Sequence, residues 1–321
     1  MRRRARLLKA YLKGSPIWCS LQITRRCDSF CAFCEHRNEG QDSDMDLDTC
    51  RRVADGLSQL GSLVISLSGG DPFLHGELPA AVAIFAREHF PLLTTNGWLV
   101  TADRAREVWK AGLQGASVLL FDADPERHDD QAGFPGSHAR ALAALDALAR
   151  ERTRPGQRVN VKARFRRGDA ERLGALAGLA QAHGATLTVE PAYPLSAQQP
   201  GPEVAELLLD LRRRHPAVRS GVSFLAHMDR ALTGGIAGCR AGRAFLNVDH
   251  RGRASKCIEF QQPEDHAGDL GREDVREVVA RLRKIQETNA CRACWSSARG
   301  EVESLYGIKG FVAALPHLVR P

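Results

Sequence analysis

The sequence has no apolar stretch approaching the roughly 18 residues that a membrane-spanning helix needs, so no span is expected. It also lacks a secretory signal, because MRRRARLLKAYLKG opens the chain without an apolar core or a small-residue cleavage site. A soluble, cytoplasmic protein is expected. Nine cysteines would stay reduced there and serve mainly as metal ligands rather than disulfides. Aromatic residues are scarce, at 6%, and sit inside apolar runs. A nucleic-acid surface interleaves basic and aromatic side chains, so none is expected here. The 45 Lys and Arg against 38 Asp and Glu do leave a formal charge of +7, but the excess is scattered. Repeats and low-complexity tracts are absent as well.

What is present is a chain of 321 residues, 43% hydrophobic and 26% charged, enough for one large core with a smaller unit beside it. Residues 1–15 read as a basic helix with Leu7, Leu8, Tyr11 and Leu12 on one side, capping the core rather than touching a membrane. From 16 to 218, strand-like and helix-like patterns alternate. The strands expected are Ile17–Thr24, Leu63–Ser68, Pro91–Thr95, Ala116–Phe121, Arg158–Phe165 and Thr186–Glu190. The helices expected between them are Leu47–Leu60, Glu77–His89, Ala102–Ala111, Ser137–Arg152 and Ala170–His183, with Pro202–Arg214 after the last strand. Thr101 and Ser137 are candidate caps, and Gly61, Gly112 and Gly184 are candidate stops. Runs such as LVISL and ASVLLF suit parallel strands buried on both faces. Six consecutive βα units imply an α/β fold with a parallel sheet, open or curled into a partial (β/α)6 barrel.

The alternation stops near residue 218. Residues 219–321 are glycine-rich and irregular, with one hairpin expected from Ala244–Val248 and Ala254–Ile258 and four of the cysteines. This reads as a second domain whose thin apolar content a bound metal would offset. The segment SAQQPGP after Leu195 reads as a linker or loop.

Cys27, Cys31 and Cys34 form C-x3-C-x2-C directly after the first strand. Three thiolates on one tight loop complete a tetrahedral zinc site only if a fourth ligand such as His36 joins them. They can instead hold three irons of a [4Fe–4S] cluster and leave the fourth iron open to a ligand. At the end of the second strand, Gly69 and Gly70 allow a close backbone approach where α/β folds bind ligands, and Asp71 can accept hydrogen bonds from an ammonium group. Ordinary turn and strand-end roles for GGDP and for Thr95 and Asn96 remain the alternative.

These residues together resemble the radical S-adenosylmethionine (SAM) enzymes. CDSFCAFC is similar to that family's cluster loop, with Phe33 as its aromatic residue. SGGDP, TTNG and FDADPERHDDQAG follow at the second, third and fourth strand ends, as the family places them. The resemblance implies that Cys27, Cys31 and Cys34 hold a [4Fe–4S] cluster and that Gly69, Gly70 and Asp71 receive the SAM amino group. Asn96, Lys162, Arg164 and Glu190 are the further candidate SAM contacts, Glu190 also as a substrate contact. Two departures stand out: Leu120 where a ribose-binding serine is usual, with Ser117 on the opposite strand face, and Ala132 where an arginine is usual.

Cys239, Cys257, Cys291 and Cys294 are spaced C-x17-C-x33-C-x2-C, with a single CxxC pair where a zinc ribbon usually has two. They resemble the family's C-terminal twitch or SPASM extension, which implies a second, auxiliary [4Fe–4S] cluster; zinc is the alternative. Cys19 and Cys50 read as small buried side chains.

The resemblance implies an oxidoreductase that cleaves SAM reductively and abstracts hydrogen from a substrate C–H bond. Its electron donor would be a flavodoxin or ferredoxin. The protein's task would be positioning and water exclusion. A fully ligated auxiliary cluster would accept an electron and favour net oxidation, or simply brace its domain. A small biosynthetic molecule is the substrate expected, because little chain precedes the barrel. The alternatives are a maturase acting on a peptide or protein and a non-catalytic iron–sulfur electron carrier or sensor.

Overall fold

The structure, a computed structural model, describes residues 15–32, 34, 44–192, 203–259 and 262–304. The N-terminal helix, Phe33, His36 and the SAQQPGP segment lie outside them. Six βα repeats build the larger part. The strands are β1 (Trp18–Thr24), β2 (Val64–Gly69), β3 (Phe90–Thr95), β4 (Gly115–Leu119), β5 (Arg158–Phe165) and β6 (Thr186–Pro191). Each pairs in parallel with the next, as expected. The intervening helices are α1 (Leu47–Leu60), α2 (Leu78–Ala86), α3 (Ala102–Lys110), α4 (Pro125–Ala132), α5 (Ser137–Arg150) and α6 (Leu173–Ala182).

The chain continues through α7 (Ala205–Arg214), α8 (Val222–Ala226) and α9 (Met228–Gly234). It then forms β7 (Phe245–Val248), β8 (Arg253–Ser255) and β9 (His266–Asp269), and ends the described part with α10 (Val275–Glu287) and α11 (Ser297–Ser304). The hairpin was expected; β9 was not. The nine strands form one sheet in the order β6-β5-β4-β3-β2-β1-β7-β8-β9. It stays open, because the free edge of β1 is taken by β7 in parallel register, Trp18 against Phe245 through Leu21 against Val248. Side chains beyond residue 218, including Phe224, Met228, Leu246, Ala267 and Leu282, join the same buried cluster as the barrel. Among the described residues no helix is long and apolar enough to cross a membrane.

The strands are not apolar on both faces. Leu21, Ile65, Leu93, Val118, Val161 and Val189 are buried in the main core. Their neighbours Ser20, Gln22, Ser66, Ser68, Thr94, Lys162, Arg164 and Glu190 turn to the other side and line a cavity. An open barrel has a hollow concave face, and the period of two along each strand sends every second side chain into it.

Local signals set most helix ends. The side chain of Thr101 caps α3 by accepting from Arg104 N, and Gly61 ends α1 at φ 89°. Ser137, expected as a cap, is instead the first residue of α5. Asp129 does the capping from within α4, accepting from Gly136 N at 2.6 Å, His138 N at 2.8 Å and Ser137 Oγ at 2.8 Å.

Candidate cluster and cofactor site

The cysteine loop leaves β1 and runs against the end of β2. Gly70 N donates to Thr24 O at 2.9 Å, and Asp71 N donates to Arg26 O at 2.8 Å. A Cβ on Gly69 would stand 2.0 Å from Thr24 O, and one on Gly70 would stand 1.8 Å from Arg26 O. The two glycines thus admit the backbone of the cysteine loop itself, a closer neighbour than the ligand foreseen from the motif.

Asp71 is 1% exposed. It accepts from Phe73 N at 2.9 Å, Thr95 Oγ at 2.7 Å and Asn96 N at 2.7 Å. Its carboxylate therefore welds the end of β2 to the end of β3. Burial pushes its carboxyl up to about 6, against those three donors. Asn96 continues the bracket: its amide donates to Asp28 Oδ1 at 2.6 Å and Ser29 Oγ at 2.8 Å, both inside the cysteine loop. The loop's base is held by Arg26, which pairs with Asp44 at 2.5 Å.

The passage after β4 supports the loop from the opposite side. Ala32 N donates to Gln131 O at 3.0 Å, and Gly133, at φ 68°, lies where a Cβ would stand 2.5 Å from Phe30 O. Ala132, at the place of the family's arginine, packs with Phe121 against Cys31. Leu120 is wholly buried in the main core, while Leu119 turns into the cavity. The departure from serine at 120 therefore falls on a side chain that does not line it.

The cavity measures about 210 Å³. Cys27, Cys31, Cys34, Gly69, Gly70, Asp71 and Asn96 line it together with Lys162, Arg164 and Glu190. The last three sit in ion pairs: Lys162 Nζ with Glu190 at 3.2 Å, and Arg164 with Glu259 at 3.1 Å. Burial alone would raise the Glu190 carboxyl, but Lys162, Arg164 and the Ser297 N–H outweigh it and hold it below the usual value. Glu259 and Ser297 come from the C-terminal part, and sequence reasoning passed over both. No local signal marks them, since each matters only through partners about a hundred residues away.

Cys27 is pushed up to about 12 and Cys31 to about 11, chiefly by burial. Such thiols hold their protons until a metal replaces them, which suits a buried thiolate-ligated centre. The C-terminal four cysteines also gather. Cys239, Cys257 and Cys294 are buried and Cys291 is half-buried. Asn289 links two of their loops, donating to Cys239 O at 3.1 Å and accepting from Cys291 N at 3.3 Å. Burial, then the nearby thiols of Cys257 and Cys239, push Cys294 well up. Among the described residues no three His, Cys, Asp or Glu side chains converge as the ligands of a single ion would. Cys19 and Cys50 are wholly buried in the main core, as expected.

A cysteine loop, a Gly-Gly-Asp turn and an asparagine, brought to the C-terminal ends of three neighbouring parallel strands, define a cofactor-binding α/β domain. Residues 21–160 match the model of the Radical SAM superfamily. It is 31% identical over 174 residues to the PqqA peptide cyclase of Methylocella silvestris, which covers 53% of this chain and 46% of that protein. The chain thus spans about half the length of the curated relatives it matches. Among solved structures it is similar to Streptococcus suis SuiB bound to precursor peptide SuiA. The TM-score there is 0.68 at 15% identity, covering 96% of this chain and 76% of that one. It is also similar to native anSMEcpe with bound AdoMet, with a TM-score of 0.66 at 11% identity, covering 95% of this chain and 98% of that one. At such identities the structural likeness is one of fold.

Proposed function

We propose that the protein is a radical SAM enzyme that carries out a net oxidation of a polar substrate. One observation carries this reading: the three loop cysteines, the Gly-Gly-Asp turn and Asn96 share a cavity whose remaining wall is polar and charged. Cys27, Cys31 and Cys34 hold a [4Fe–4S] cluster, and the Gly69–Asp71 turn meets the amino group of SAM. When bound, cluster and SAM together supply one-electron cleavage of SAM and hydrogen abstraction from a substrate C–H bond.

The chain's own residues do the positioning. Asp71, Asn96 and the Arg26–Asp44 pair fix the loop's height above the sheet. Lys162, Arg164 and Glu190 give the cavity donors and acceptors that orient the cofactor's polar groups or the substrate's. Cys239, Cys257, Cys291 and Cys294 would hold a second [4Fe–4S] cluster, which would supply an electron acceptor for the substrate radical. A flavodoxin or ferredoxin supplies the electron that starts the reaction.

Two substrate classes suit a wall of Ser, Thr, Gln, Lys, Arg and Glu: a small polyhydroxylated or amino-bearing metabolite, and a peptide. The peptide reading is favoured by the likeness to a peptide cyclase and to a fold solved with its precursor peptide. The test is anaerobic incubation of the reconstituted protein with SAM and reductant, followed by assay for 5′-deoxyadenosine. Release is expected from wild type and not from Cys31→Ala. A chain that binds iron but releases none is an electron carrier or sensor, and the proposal fails. Deuterium passing into 5′-deoxyadenosine from labelled peptides or labelled metabolites then distinguishes the two classes.

A further inference from the structure

Arg299 is wholly buried, 0% exposed, on α11 just after the last cysteine. Its guanidinium reaches three backbone carbonyls. Nη1 donates to Cys294 O at 2.9 Å, and Nη2 donates to Ile236 O and, at 3.4 Å, to Ala237 O. The segment leading to Cys239 is thereby stapled to Cys294. The ring of Trp295 covers the guanidinium, with Cζ 5.7 Å from its centroid.

These carbonyls satisfy N–H groups but carry no countercharge. Among the described residues Nε finds no hydrogen-bond acceptor. The carboxylate paired with it, Glu303, stands 3.8 Å away. That oxygen already accepts from Arg240 N at 2.5 Å, and burial pushes the Glu303 carboxyl up, weakening it as a counter-ion. A buried guanidinium held this loosely by its carboxylate partner is unfavourable. The guanidinium is held instead against the backbone of the cysteine-bearing segments, at the Cys294 carbonyl and at the Ala237 carbonyl two residues before Cys239.

We propose that Arg299 is the charge partner of an anionic metal–thiolate centre at Cys239, Cys257, Cys291 and Cys294. This rests on the second-cluster reading above. Four thiolates around an iron–sulfur core leave the centre net negative, and reduction adds one more negative charge. A fixed positive charge in a low-dielectric pocket favours that reduced state. Arg299 is therefore a positioning residue that assembles the centre and poises it to accept an electron.

The test uses the full chain, reconstituted anaerobically, with iron and sulfide counts and the midpoint potential of the second centre followed by electron paramagnetic resonance. Wild type should hold about eight irons. Arg299→Gln should either lose about four of them or keep the centre at a more negative potential. Arg299→Lys, which keeps the charge but not the planar fork, should keep the irons and lie closer to wild type in potential. Arg299→Gln with full iron and the wild-type potential overturns the proposal. So does Arg299→Lys with a negative shift as large as that of Arg299→Gln, and if Arg299→Gln does not accumulate, a large negative shift in Arg299→Lys alone overturns it. A wild-type count of about four irons, or zinc in their place, overturns instead the second-cluster reading beneath it.

Discussion

Glu190, at the end of β6, accepts a hydrogen bond from Ser297 N at 2.8 Å across 107 residues of chain, and it pairs with Lys162 at 3.2 Å. One buried carboxylate thus ties the last barrel strand to the segment that follows the terminal cysteine pair. It also sits in the cavity wall, so the cavity and the C-terminal segment share a residue.

Replacing Glu190 by Gln keeps an acceptor for Ser297 but leaves Lys162 facing a neutral partner. A loss of roughly 2–3 kcal/mol is expected, at the low side for a broken buried pair because the lysine is partly exposed. Urea denaturation of Glu190→Gln, Lys162→Met and the double variant measures it. The double variant should recover much of the loss; strictly additive losses would show that the two groups do not interact.

Gly70→Ala should displace the cysteine loop, since the new methyl would meet Arg26 O at 1.8 Å. Overpacking of this kind costs about 1–3 kcal/mol or more, and iron uptake at the first site should fall with it. Gly76→Ala is the control, because nothing lies within 4 Å of its added Cβ. A Gly70→Ala protein that melts and loads iron like Gly76→Ala would contradict the close approach.

His128 is buried, its Nδ1 accepts from Phe121 N at 3.1 Å, and burial, with His138 beside it, pushes it down to about 4. Its folded value lies below the ordinary one of about 6.5, so its stabilisation is complete above that pH and is lost as pH falls toward 4. The full loss is about 3 kcal/mol. In His128→Asn, which keeps a side-chain acceptor without a titrating ring, the stability profile between pH 4 and 6.5 should be flatter. An unchanged profile would assign the acid sensitivity elsewhere.

Metal-free protein should resist alkylation at Cys27 and Cys31. With Cys31 at about 11 against the ordinary 9.0, its thiolate fraction at pH 8 falls about a hundredfold, and that of Cys27 falls further. Peptide mapping after timed iodoacetamide treatment reads this directly. Iron loading should correspondingly release protons and improve with rising pH; labelling as fast as that of free cysteine would contradict the buried state.

Much of the larger part could be read along the chain. Leu47–Leu60 and Arg158–Phe165 have the ends expected of them, because a helix stopped at Gly61 and a strand alternating from Val159 to Phe165 announce themselves locally. Ser137 misled for the opposite reason: Asp129, eight residues before it, occupies the donors a cap would serve. The short β9, His266–Asp269, has no strand signature and exists because β8 offers it an edge.

The site divides in the same way. Spacing alone put Cys27, Cys31 and Cys34 on one loop, and the order of strands put SGGDP and TTNG beside it, because parallel βα units align the C-terminal ends of successive strands. Which groups each residue meets was decided only in three dimensions. The burial of Asp71 under three donors, the inward turn of Leu119 rather than Leu120, the pairing of Arg164 with Glu259 and the hold of Arg299 on the Ile236 and Ala237 carbonyls all arise from contacts between distant segments. Local pattern determines which backbone forms and which face it turns. What a side chain touches across that face depends on how the open sheet curls and on the segment that closes over it.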